Sequence, residues 1–388
     1  MQKNNSLIIN AEKTEWLGVN VSNQDELLHQ GRPIQRKSEI RLLGVMISED
    51  GSSASHQFNR FNESKSALNV WKTIQNNNPS APIRTLINSI QSLIISTATY
   101  GQELYPPCSP KLIDIRKITS NQIEKKLINS LRYCLRLTHK SSLVALYGLT
   151  GVVPISVTTH IQILRLWRKI VNNLPTSSTM YQCYTTLRNE TIQKPNTTNW
   201  ASQVRDILIY YDGQVLWNQN YCSWSDSRIA TTILKKFESD VWKPALLSNK
   251  KLEFWRLCGL QFGHQQFLDI ADRKRRLSLI RLFSSQHPLE MELGRHKNVP
   301  REDRKCQCSN SIDDESHFLF KCELLVPDRK ILVEKLESLG MKWEIETIKT
   351  LLRSGKSHED RKGILNAWNA IGKFVESGFK QRERSTKK

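Results

Sequence analysis

Ile123-Glu-Lys-Lys-Leu127-Ile-Asn-Ser-Leu131-Arg-Tyr-Cys-Leu135 is the stretch that sets the character of this chain. Ile123, Leu127, Leu131 and Leu135 recur every four residues, the spacing that puts apolar side chains on one face of an α-helix. Lys125, Arg132 and Arg136 are seven and four residues apart and share another face, away from the apolar stripe. Such a helix packs on one side and can run along a phosphate backbone on the other. A merely solvated cationic face is the plainer alternative.

The same period extends in both directions. Upstream, Leu86, Ile90, Leu93, Ile94 and Ala98 fall on one helical face. Downstream, Ile161, Leu164, Trp167, Ile170 and Leu174 mark another amphipathic helix, halted by Pro175. The polar stretch from Pro175 to Trp200 carries Pro195 and reads as a connector. Helical patterns resume over 228–242 and 250–282, and two more helices with a frayed basic tail are expected after Cys322. Only the beginning reads otherwise. Leu7-Ile8-Ile9, a polar turn and Trp16 to Val21 predict strand, turn, strand. A second strand pair is expected over Ile40-Arg-Leu-Leu-Gly-Val-Met-Ile47, closed by Glu49-Asp50-Gly51. The expected fold class is therefore mainly α with a small β part.

The 388 residues suffice for two or three packed domains. A formal charge of +20, from 57 Lys and Arg against 37 Asp and Glu, favours a polyanion, because cationic side chains release condensed counterions from phosphates. No apolar run reaches the length of a membrane span, and the first residues lack the apolar core of a signal peptide. Eight cysteines in so long a chain do not form a disulfide scaffold, so a reducing compartment, nucleus or cytoplasm, is expected.

The one close cluster of soft ligands is Cys306-Gln-Cys308 with His317-Phe-Leu-Phe-Lys-Cys322. Its spacing, C-x-C-x8-H-x4-C, predicts a structural zinc site with all four positions filled by protein. The His317–Cys322 half can place both ligands on one side of a helical turn, whereas the single-residue spacer after Cys306 is tight. The cluster follows a basic run, Arg273-Lys274-Arg275-Arg276, and a segment holding Arg281, His287, Arg295, His296, Arg301 and Arg304. These cations are the further candidates for nucleic-acid contact. His287 and His296 read as phosphate or packing partners, not metal ligands.

Catalytic constellations are incomplete. Asp313-Asp314 reads as a solvated turn inside the metal loop. Tyr210-Tyr211-Asp212 follows the apolar run Ile207-Leu-Ile209 in the manner of a metal-binding strand end, yet Gly213 stands where two-metal chemistry wants a second carboxylate. No Walker-type loop or G-x-S-x-G elbow occurs. Trp16, Trp224 and Trp255 are candidates for stacking on a base.

Several segments, in order, resemble the carboxy-terminal part of a non-LTR (LINE-type) retrotransposon reverse transcriptase. Asn10-Ala-Glu-Lys13-Thr14-Glu15 is similar to the N-x-x-K-T-E element of motif D in the polymerase palm. Leu43-Gly44-Val45-Met-Ile47 is similar to the L-G-V-x-I hairpin of motif E, the primer grip, and Tyr100-Gly-Gln-Glu103 to the Y-G-x-E signature ending the thumb region. The closest likeness runs from His287 through Gly294, Arg295, His296, Arg301, Arg304, Cys306 and His317 to Cys322.

The resemblance implies a palm remnant over 1–52, a thumb-like region over 53–174 and a helical connector over 175–272. A basic segment with a zinc knuckle over 273–330 and C-terminal helices over 331–388 follow. It implies RNA and DNA as partners, structural zinc, and magnesium only in a full-length parent polymerase. Lys13 stands where the family's motif D lysine is thought to protonate the leaving pyrophosphate. The family's F/Y-x-D-D turn lies upstream of motif D, so with eight residues before Ile9 it is expected outside this chain. The reading is thus a nucleic-acid-binding fragment of a polymerase, inactive alone, whose other partner is the element's amino-terminal portion. The alternative is a zinc-dependent binding or protein-interaction module unrelated to transposition.

Overall fold

The computed structural model describes residues 10, 13–19, 26–78, 81–105, 113–115, 118, 121–259, 261–353 and 360–385, and these are mainly helical with little strand. The expected strand at Leu7–Ile9 lies outside the described residues. Glu15–Trp16 is the strand found near it, and it pairs parallel with Gln35–Arg36. Each is two residues long, and Glu15–Trp16 is the only strand among the described residues of the region expected as a hairpin.

The second expected pair is present. Glu39–Leu42 and Val45–Ser48 run antiparallel, with Ile40 opposite Ile47. Leu43 and Gly44 form the two-residue turn with φ of 49° and 84°, as right-handed strand twist requires. A Cβ on Gly44 would sit 3.1 Å from the Tyr100 ring, so glycine also lets that ring approach. The Tyr100 hydroxyl donates to the Leu43 carbonyl at 2.6 Å. His56 joins the same contact, its Nδ1 accepting from Met46 N at 3.3 Å while Nε2 lies 3.0 Å from the Tyr100 carbonyl.

The helix Gln122–Leu135 starts where the Asn121 side chain accepts from the backbone N–H groups of Ile123 and Glu124. It stops at Arg136, which takes a left-handed conformation. Leu127, Leu131 and Leu135 are buried as expected. The apolar stripe from Leu86 to Ala98 lies on Ile83–Ser89, a π-helical stretch Ile90–Ile95, and Ser96–Thr99. Ile155–Asn173 carries the third stripe.

Four expectations are corrected. The polar connector contains a helix, Thr179–Gln193, capped by the Ser178 hydroxyl and anchored through Tyr184, whose hydroxyl accepts from Trp167 Nε1 and donates to Asn220. The run Ile207–Ile209 belongs to the helix Trp200–Tyr210, so Asp212 follows a helix and pairs with Lys236 at 2.9 Å. Trp224 and Trp255 are core residues, unavailable for stacking on a base. Among the described residues three α-helices rather than two follow Cys322, namely Val326–Glu337, Ile345–Arg353 and Asp360–Ser385.

The last helix lies against Arg273–Phe283 and Val326–Glu337. It buries Trp368, Phe374 and Phe379, and a Cβ on Gly378 would stand only 2.6 Å from the Phe318 ring. That close approach brings the chain's end to the cysteine cluster. No single described helix is long and apolar enough to cross a membrane.

Candidate metal centre

Two local structures supply the four ligands. Lys305 and Ile312 form an antiparallel bridge, and Cys306 N donates to the Ser311 carbonyl at 2.8 Å. Cys306 and Cys308 therefore sit on a tight loop. His317–Lys321 is one turn of π-helix, closed by Cys322 N donating to the His317 carbonyl at 2.8 Å. The wider turn suits H-x4-C, because residues five apart then stand above one another. Asp314 accepts from His317 N at 2.8 Å and fixes the start of that turn.

The ligand atoms of Cys306, Cys308, His317 and Cys322 all lie within 4.8 Å of one another. Cys322 Sγ is 3.8 Å from both Cys306 Sγ and Cys308 Sγ. Zinc–sulfur bonds of about 2.3 Å in a tetrahedron place sulfurs about 3.8 Å apart. Cys308 Sγ stands closer, 3.2 Å from Cys306 Sγ and 3.2 Å from His317 Nε2. The tight edge is the one made by the single-residue spacer. Three thiols and an imidazole are a soft donor set, so the cluster can hold a metal ion and is compatible with zinc. Burial pushes the Cys306 thiol up to about 12. Burial also acts to raise Cys308, but hydrogen bonding with Ser309, Cys306 and His317 brings it down to about 6.

Sequence reasoning missed the residues around this cluster. Arg382 Nη2 lies 2.9 Å from Cys306 Sγ, 3.1 Å from Cys322 Sγ and 3.0 Å from Asp313 Oδ1. The tail expected to fray is helical to Ser385, and Arg382 is buried. Asp313 is buried too, not a solvated turn, and its Oδ2 accepts from Glu290 N at 3.0 Å. Arg329 donates to the carbonyls of Leu319 and Cys322. No local pattern marks Arg382, because it meets the cluster only through tertiary packing.

The predicted cations divide into two groups. Arg132 donates to Ser141, Arg275 to Asn369 and Arg276 to the Ile270 carbonyl. Arg281 reaches Glu383, and Arg304 grips the carbonyls of Val299 and Met291. His287 is buried with Nε2 2.9 Å from Glu315, and Arg295 pairs with Glu292. Arg301 pairs with Glu253 at 2.8 Å, half exposed. Lys125, Arg136, Arg273, Lys274 and His296 are exposed, as is Lys13 in its turn. Arg136 and Arg273, far apart in sequence, line one surface depression together with Arg276. No protein-family model, curated protein or solved structure matches the chain.

Proposed function

We propose that this chain is the carboxy-terminal region of a non-LTR retrotransposon reverse transcriptase, and that it binds RNA or DNA on a surface held in shape by structural zinc. The observation that carries the reading is the shared depression of Arg136 and Arg273. It joins the basic end of the Gln122–Leu135 helix to the start of the basic run that precedes the cysteine cluster. Phosphates bound there would meet side chains still open to solvent, in a chain of net charge +20. The contact of Tyr100 with the Leu43-Gly44 turn also supports the resemblance, since both segments belong to its motifs.

Zinc in the four-ligand cluster would have no open position, so its role is to hold the loop 305–312 against the π-turn. The sequence contains no aromatic-x-Asp-Asp turn, and the proposal is accordingly for binding rather than polymerisation. Lys13, exposed in its turn, has no reaction to assist within these residues.

Two measurements on the full chain test this reading. Native mass spectrometry should show one zinc per chain, lost in Cys322→Ala. RNA affinity should fall steeply between about 50 and 200 mM salt. Absence of zinc, or binding indifferent to salt, would overturn the corresponding half of the proposal.

A further inference from the structure

We infer that Arg382 is a positioning residue of the metal centre, one that tunes two of its sulfurs and links metal loading to docking of the C-terminal helix. The inference rests on the metal reading of the four-ligand cluster. Its geometry is specific. One nitrogen of a buried guanidinium reaches Cys306 Sγ, Cys322 Sγ and Asp313 Oδ1 within 3.1 Å. The two sulfurs it contacts are the buried ones, whereas the half-buried Cys308 receives no such contact among the described residues.

Charge explains why a guanidinium belongs there. Three thiolates and a neutral imidazole around a dication leave one net negative charge, and buried Asp313 adds another. Arg382 and Arg329, both beside the cluster, supply two positive charges and balance the loaded centre. An unpaired charge in so buried a place would be costly. Guanidinium offers only donors and stays protonated, so it can serve sulfur lone pairs without competing for the metal.

Two consequences follow. N–H···S bonds lower the energy of the Cys306 and Cys322 lone pairs and their reactivity towards electrophiles, while the guanidinium charge stabilises the anionic loaded centre. Cys308, half-buried and without a guanidinium contact among the described residues, is the most accessible thiolate of the loaded centre. By linkage, whatever strengthens metal binding also strengthens docking of the helix Asp360–Ser385, which Gly378 already seats against Phe318.

The test uses the full chain loaded with cobalt(II), whose sulfur-to-metal charge-transfer band reports on thiolate donation. Arg382→Met should move that band to lower energy and speed metal loss to a chelator about tenfold or more, the scale of lost outer-sphere partners. Arg382→Lys should restore part of both. In the unaltered chain, metal should slow trypsin cleavage within 380–384, which keeps the idea testable if Arg382→Met does not fold. An unchanged band with unchanged chelator kinetics would overturn the role of Arg382 while leaving the metal site standing. Equal cleavage with and without metal would overturn the linkage. No cobalt band in the unaltered chain would overturn the metal reading itself.

Discussion

Glu124 lies wholly inside the protein, its Oε1 accepting from the Tyr147 hydroxyl at 2.6 Å and its Oε2 from Ile155 N at 2.9 Å. It thereby caps the helix Ile155–Asn173 from a neighbouring helix. Burial outweighs both hydrogen bonds and raises its carboxyl from 4.5 to about 7. The folded state then holds a proton that the unfolded chain has released over this interval. Stability from this group is full below about pH 4.5 and lost as pH rises through about 7, a change of at most the order of 3 kcal/mol. Denaturant midpoints at pH 5 and pH 8 should differ less in Glu124→Gln than in the unaltered chain. Equal differences would contradict the assignment.

The cations singled out by sequence also separate at this scale. His287 is spent on Glu315 in the interior, so His287→Ala should destabilise by about 2 to 4 kcal/mol through the carboxylate left unpaired. Exposed Arg273→Ala should change stability by about 0.5 kcal/mol or less while weakening RNA binding. Thermal melts beside binding isotherms check both. The reverse ranking would show that burial does not sort these residues.

At the scale of elements, periodicity was informative wherever a helix buries a broad apolar stripe. Leu127, Leu131 and Leu135 are buried as their spacing predicts, and so are Leu164, Trp167 and Ile170. It failed where the buried face is narrow. Thr179–Gln193 fully buries only Tyr184 and Thr191, so a polar composition concealed a helix held by its cap, Tyr184 and the half-buried Tyr181 and Leu187. The short run Ile207–Ile209 fits strand and helix equally, and tertiary packing chose helix. The candidate metal ligands are readable because they lie close in sequence, whereas Arg382 meets them only where the last helix packs against the cluster. Gly378→Ala should therefore cost about 1 to 3 kcal/mol by forcing Phe318 aside. Chemical denaturation checks this, and a neutral substitution would mean that the helix seats less closely.

At the scale of the whole molecule, distant segments are tied by a few charged residues. Asp269 holds Arg84 at 3.0 Å, Arg361 at 3.1 Å and His264 at 2.8 Å, joining the helix Ile83–Ser89 to the C-terminal helix. Burial acts to raise the Asp269 carboxyl, but hydrogen bonds from His264 and Arg84 bring it down to about 2. This tie joins elements near the depression lined by Arg136 and Arg273, and so would support the proposed binding surface without touching a ligand. Net charge alone raises the expectation of a polyanion partner, whereas the packing separates cations that remain exposed from those consumed inside. The most direct test is the salt dependence of RNA affinity for the unaltered chain and for Arg136→Ala with Arg273→Ala. The double variant should bind more weakly, with the log–log slope shallower by about 1.5 to 2, as expected for two lost phosphate contacts. An unchanged slope and affinity would contradict the assignment of this surface to nucleic acid.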